Sequence, residues 1–303
     1  MQLSLGPILY LWERDAIFEF YKNAADMPVD IVYLGETVCS KRRPLKLDDW
    51  IGIGRELQQS GKQVVLSTLA LLEAESELRT VQRIADNGEF MVEANDMSAV
   101  NMAQGNPFVS GPHINCYNSQ TLAFLNSIGA CRWVMPVELS AQSLKHLQEN
   151  RPANMQTEVF AFGRMPLAFS ARCFTARAEK RTKDDCEFIC GKYENGIPLY
   201  TQEDKEFLCL NGIQIQSASY CNLISEIDEL RAVGVDVLRL SPQIQGMMDI
   251  VSAYRNVLDN KTGIMEAESG IGHHLTSDTC NGYWHGKAGM EWYEEMEKLT
   301  RPA

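Results

Sequence analysis

Short β-rich runs recur along the chain at 3–10 (LSLGPILY), 30–36 (DIVYLGE), 62–68 (KQVVLST), 90–95 (FMVEAN), 107–115 (PFVSGPHIN), 131–138 (CRWVMPVE), 155–163 (MQTEVFAFG) and 235–241 (VDVLRLS). Stretches with helical spacing separate most of them. In DDWIGIGRELQQSGK, Asp48 or Asp49 stands near the start and Gly61 past the end; in SAQSLKHLQEN, Ser140 is placed to cap the helix that follows MPVE. Eight strands alternating with crossover helices predict an α/β fold, a (β/α)8 TIM-type barrel.

The alternation breaks once. Seven strands are complete by residue 163, and residues 164–234 interrupt the rhythm before the eighth. Within this insertion, YTQEDKEFLCLNGIQIQSASY reads as a strand pair turning at Asn211 and Gly212. Active sites of such barrels are built at the C-terminal ends of the strands, so an insertion after strand seven starts from the functional rim. The expected organisation is one barrel domain over residues 1–303, with the insertion at 164–234 and a C-terminal loop and closing helix at 265–303.

Composition narrows the partners. With 45% hydrophobic and 22% charged residues, the chain is an ordinary globular one with enough apolar mass for a core. A formal net charge of -12 argues against a nucleic-acid surface. No run reaches the roughly 18 to 20 apolar residues of a membrane helix, and MQLSLGPILYLWERD lacks the basic start of a secretory signal. The expectation is a cytoplasmic protein with no transmembrane segment and no nucleic-acid partner.

Nine cysteines, an odd number spread over a long chain, fit a reducing compartment better than a disulfide framework. Three of them, Cys173, Cys186 and Cys190, have the spacing C-x12-C-x3-C inside the basic segment ARCFTARAEKRTKDDCEFICGKY of the insertion. A four-thiolate site needs one more, and Cys39 is the candidate, because it follows strand two on the same barrel face. Arg172, Arg177, Lys180, Arg181 and Lys183, with Lys41, Arg42 and Arg43 after Cys39, are expected to favour thiolate over thiol. Spacing does not identify the metal, and zinc suits four thiolates by ligand count. Cys116, Cys131, Cys209 and Cys221 lie in apolar or strand-like runs and read as small core residues. GHHLTSDTCNGYWHG gathers His273, His274, Cys280 and His285, ligand-capable side chains in what reads first as an ordinary loop.

The segment TEVFAFGRMPLAFSARC resembles the signature of the collagenase-like peptidase (U32) family, Glu-x-Phe-x-x-Gly with cysteines eight and fifteen residues after the Glu; Glu158, Phe160, Gly163 and Cys173 match. Pro166 stands in place of the first signature cysteine, and Ala171 in place of a glycine. These departures, with YLGETVCSKRR, GPHINCYNSQTLAFLNSIGACRWVMPVELS, LRLSPQ and CNGYWHGKAGM, resemble the UbiV branch, which serves oxygen-independent ubiquinone biosynthesis. The resemblance implies a [4Fe-4S] cluster on Cys39, Cys173, Cys186 and Cys190. It also implies a homologous UbiU-type partner with its own cluster, and ring hydroxylation of ubiquinone precursors without O2, with prephenate as oxygen donor. Proteolysis is not implied for this branch. A zinc-stabilised scaffold and a collagenase-like peptidase remain the alternatives.

Polar groups near strand ends supply the candidate substrate pocket: Glu36, Asn95, Asn115, Glu138, Glu158 and Arg239, each of which can equally be a barrel-layer or capping residue. The five histidines lie in no recognisable protease motif.

Overall fold

The computed structural model describes residues 1–294. Its elements begin β1 (Gln2–Leu5), α1 (Arg14–Ala24), β2 (Ile31–Leu34), α2 (Leu47–Gln59), β3 (Gln63–Ser67), α3 (Glu75–Ala85), β4 (Met91–Ala94) and α4 (Met97–Ala103). They continue β5 (Phe108–Ser110), α5 (Ser119–Ser127), β6 (Ala130–Val134), α6 (Ala141–Gln148), β7 (Gln156–Phe169) and α7 (Phe174–Ala178). After β8 (Ile197–Tyr200), β9 (Glu206–Asn211) and β10 (Gln214–Asn222) come α8 (Ile227–Ala232), β11 (Val237–Leu240), α9 (Met247–Leu258), α10 (Ile264–Gly272) and β12 (Thr279–Cys280).

Strands β1 to β7 pair in parallel, each with the next, and β11 closes the cylinder: Leu238 lies in register with Leu3 of β1 and Val159 of β7. The eight-stranded (β/α)8 barrel expected from the sequence is therefore the fold. The period of two along each strand sorts the side chains into two cores. Val32, Leu34, Val64 and Leu66 point outward onto the apolar faces of the helices, where Ile17, Tyr21, Ile53 and Leu57 are buried. Ile31, Tyr33, Val65, Val109, Val134 and Val237 fill the interior. Helix ends use the expected residues: Asp49 Oδ2 accepts from the Lys46 N–H at 2.8 Å, and Ser140 Oγ from the Ser143 N–H at 3.2 Å.

One boundary differs from the sequence expectation. The seventh strand does not end at 163 but runs to Phe169, changing partner on the way: up to Phe162 it pairs with β11, and from there it pairs antiparallel with β10, as far as Phe169 opposite Gln214. Gly163 is where the exchange happens, at φ +123°, and a Cβ there would stand 2.5 Å from Cβ of Ser241. The glycine marks a bend rather than a strand end. Gly163→Ala is expected to lower stability by about 1–3 kcal/mol or more, while Gly52→Ala in α2, where a Cβ meets nothing within 4 Å, is expected to leave it unchanged or raised; urea unfolding midpoints of the two variants check this.

Beyond the bend, β10 pairs with β9 and β9 with β8, extending the sheet away from the barrel, and β12 lies along β10. The turn between β9 and β10 is made by Gly212 and Ile213, one residue later than the sequence predicts, with Asn211 the last residue of β9 and paired with Gln214. Of the closing segment expected at 265–303, residues 295–303 lie outside the described residues. Among the described residues no helix is long and apolar enough to cross a membrane.

Candidate functional site

Cys39, Cys173, Cys186 and Cys190 line one cavity on the rim of the barrel, together with Lys41, Arg42 and Lys183. Three segments converge there, and each is held by identifiable bonds. The loop after β2 is folded back by Glu36, whose Oε1 accepts from the N–H groups of Val38 (2.8 Å) and Cys39 (3.0 Å). Arg42 then ties this loop to two others, donating to the Leu9 carbonyl and to Asn211 Oδ1, both at 2.8 Å. The β9–β10 turn does the rest: the Gly212 carbonyl accepts from the Phe174 N–H at 2.9 Å, fixing the residue after Cys173. A side chain at Gly212 would collide with Arg42, 2.7 Å away, at a left-handed φ of +68°.

Cys173 starts α7, its Sγ accepting from the Ala176 N–H at 3.4 Å, and it packs with Cys39 in a small cluster formed by Leu9, Val38 and Ile213. Cys186 and Cys190 sit on a tight turn in which Glu187 and Phe188 are left-handed. Lys41 Nζ lies 2.8 Å from Asp184, and Lys183 meets Glu73 and the Ala171 carbonyl, so the cysteine turn is strapped to the barrel from both sides.

The electrostatics differ from the sequence expectation. Burial pushes the thiols of Cys39 and Cys173 up, and nearby backbone N–H groups and Arg42 only partly pull them back. Of the basic residues expected at the thiols, Lys41, Arg42 and Lys183 reach the cavity, whereas Arg181 is drawn off to Glu187 at 2.6 Å. Burial opposes the Arg42 charge, yet Glu36 and the thiols of Cys190 and Cys39 hold its pKa above the ordinary value. The wall is thus cationic at neutral pH, which suits a group of net negative charge.

As a donor set, four thiols around one cavity fit a thiolate-bound group. Among the described residues no set of three His, Cys, Asp or Glu side chains converges closely enough to hold a single metal ion.

A second, small pocket lies at the mouth of the barrel; its surface is mainly apolar, with Thr37, Glu93, Asn95, His113, Arg239 and Ser241 as its polar lining. Beneath it the interior carries four charges in a chain. Arg239 Nε donates to Glu158 Oε1 at 2.7 Å, and its Nη2 lies 2.7 Å from Glu93 Oε1 in an ion pair too bent for a hydrogen bond. Glu158 also accepts from Ser4 Oγ (2.7 Å) and the Tyr33 hydroxyl (2.5 Å), and Tyr33 accepts from Arg132 at 3.1 Å. Burial raises the Glu158 pKa, but Arg239 and Arg132 outweigh it and leave it below the ordinary value. Lost solvation, and then Arg239, pushes His113 down to about 3, so the ring is neutral at pH 7. The Thr37 hydroxyl and Asn95 Oδ1 are buried without a partner.

The candidate pocket residues therefore separate. Arg239 and Asn95 line the mouth; Glu158 lies wholly buried beneath it; Glu36 serves the cysteine loop; Asn115 and Glu138 are exposed, linked through the Tyr117 hydroxyl. Glu93 and His113 were not among the candidates. The signal for Glu93 was a lone charge inside an apolar strand, MVEA, a pattern shared with Arg132 in ACRWV and Arg239 in VLRL. The loop histidines do not gather: His285 meets Glu226 at 3.0 Å, His274 meets Asp249 at 3.0 Å, and Cys280 is buried in register with Cys221. Cys116, Cys209 and Cys221 are buried; Cys131 is half-buried; and Cys209 Sγ faces Arg164 Nη1 at 2.9 Å.

The family model described as Peptidase family U32 matches residues 16–294. Among solved structures, a U32 peptidase is 11% identical, covering 80% of this chain and 93% of its own, with a TM-score of 0.44. A putative dihydrodipicolinate synthetase from Pseudomonas aeruginosa is 10% identical, covering 91% of this chain and 82% of its own, at 0.45. A tryptophan synthase alpha-subunit from Pyrococcus furiosus is 11% identical, covering 89% and 98%, at 0.42.

Proposed function

The chain belongs to peptidase family U32, and from that premise we propose that it is the UbiV-branch iron-sulfur subunit of an O2-independent hydroxylase acting on ubiquinone-precursor rings. The observation that carries the reading is the single cavity shared by Cys39, Cys173, Cys186 and Cys190 on the barrel rim. These four would hold a [4Fe-4S] cluster, which when bound supplies a one-electron path that ordinary side chains lack.

The chain's own residues have distinct tasks in this scheme. Glu36 and the Gly212 turn orient the thiols, and Lys41, Arg42 and Lys183 offset the charge of the thiolates. At the barrel mouth, Arg239 is held in place by Glu93 and Glu158 and is the proposed contact for an acidic group of the substrate or donor. Prephenate, a dicarboxylate, is the proposed oxygen donor, and a homologous UbiU-type subunit in the cytoplasm the proposed partner. Peptide hydrolysis is not part of this proposal, because the branch that the chain resembles does not imply it.

Incubated without air with the partner, a precursor ring and prephenate carrying labelled oxygen, the protein is expected to yield labelled hydroxylated ring. Formation of product only when O2 is admitted, or undiminished turnover by a folded Cys173→Ala variant, refutes the assignment. Absence of any hydroxylated product, with one zinc per chain, would leave the zinc-stabilised scaffold, which the count of four thiols also suits.

A further inference from the structure

On the other side of the Cys39 loop, between α2 and α3, lies a cleft of about 530 Å³, within the roughly 300–1,000 Å³ typical of small-molecule sites. The cysteine cavity and the barrel mouth do not account for it. Its floor is apolar, made by Leu45, Trp50, Leu69, Val81 and Ile84. Its edge is basic: Arg42, Arg43, Lys46 and Arg83.

None of these four cations has a carboxylate partner within 4.0 Å among the described residues, in a chain whose net charge is -12. Acids are present in the lining, but two are committed elsewhere. Glu36 binds the N–H groups of Val38 and Cys39, and Glu77 binds those of Glu73 and Ala74 at the start of α3. Arg42, 2% exposed, is turned toward the Leu9 carbonyl, Asn211 and the Cys190 thiol, which leaves Arg43, Lys46 and Arg83 as the cations that the cleft does not share. Three cations gathered at the edge of an apolar cleft, without a carboxylate beside any of them, favour a ligand that carries an anion.

We propose that the α2–α3 cleft is a binding site for an amphipathic carboxylate, its apolar body on the Leu45–Trp50–Leu69 floor and its anionic head among Arg43, Lys46 and Arg83. Floor and edge select together: an alcohol of the same chain length leaves the cations unpaired, an ammonium is repelled by them, and a short acid such as acetate does not cover the floor. Arg42 is shared with the wall of the cysteine cavity, but Arg43, Lys46, Arg83 and the apolar floor belong to the cleft alone, so the inference stands whether or not a cluster is bound.

Calorimetric titration of the purified protein with octanoate, octanol, octylammonium and acetate tests it. Octanoate is expected to bind one per chain, at least tenfold more tightly than the other three. In the double variant Arg43→Glu/Arg83→Glu, both at exposed positions, octanoate affinity is expected to fall tenfold or more while the circular dichroism spectrum is unchanged; Ile84→Glu is expected to weaken it from the floor side. Absence of saturable octanoate binding, equal binding of octanol or octylammonium, or an affinity indifferent to both variants overturns the proposal.

Discussion

Protein purified without air is expected to be brown and to carry about four iron and four sulfide per chain. Alanine at any one of Cys39, Cys173, Cys186 or Cys190 is expected to remove most of both. The effect should be large because these thiols come from three separately tethered segments and no nearby side chain can replace a missing one: among the described residues the other cysteines are placed elsewhere, Cys209 beside Arg164 and Cys221 beside Cys280. The barrel should survive each substitution, since the cavity sits on the rim, outside the strands' two apolar cores. Iron and sulfide assays with thermal unfolding of the same samples separate loss of the group from loss of the fold. A colourless protein holding one zinc per chain would reject the cluster, and a Cys39→Ala variant with full iron content would remove that residue from the ligand set.

The barrel was legible because eight apolar runs, each bracketed by helical spacing, leave few other ways to bury so much strand. Convergence of the cysteines was legible by a topological rule, since residues that follow barrel strands share one face whatever their separation in sequence. The bonds that bring the segments together were not. Arg42 reads as one more charge after Cys39, yet it is buried and spans from the β2 loop to Leu9 and Asn211; nothing local distinguishes it from the exposed Arg43 beside it. The interior charges were hidden for a related reason. A four-residue strand such as VLRL or MVEA does not reveal which phase faces inward, and the partners that make Arg239 tolerable there, Glu93 and Glu158, come from strands far away in the chain. Glu158, placed by sequence near a pocket, is for the same reason a member of the buried chain of charges.

Replacing Glu158 should give the largest loss of stability of any single substitution considered. Its carboxylate is wholly buried and is bound by Ser4, Tyr33 and Arg239, with Arg132 at 3.8 Å. In the interior Arg132 and Arg239 balance Glu93 and Glu158, so Glu158→Leu leaves one uncompensated cation inside the barrel. Removing one partner of a buried pair costs about 3–5 kcal/mol, which for a chain of this size is a fall in Tm on the order of 10 °C. Glu158→Gln, which keeps the shape and some hydrogen bonds but not the charge, should fall between the two. The same group dictates the acid behaviour. Its folded pKa is depressed, so its contribution is complete above the ordinary carboxylate value of about 4.3 and is lost as pH falls through the folded value. Wild-type stability should therefore drop more steeply below about pH 4 than that of Glu158→Gln, the two curves converging in acid. Urea unfolding at a series of pH values checks both claims, and a Glu158→Leu protein within about 1 kcal/mol of wild type at pH 7 would show that the charges are not coupled across the barrel.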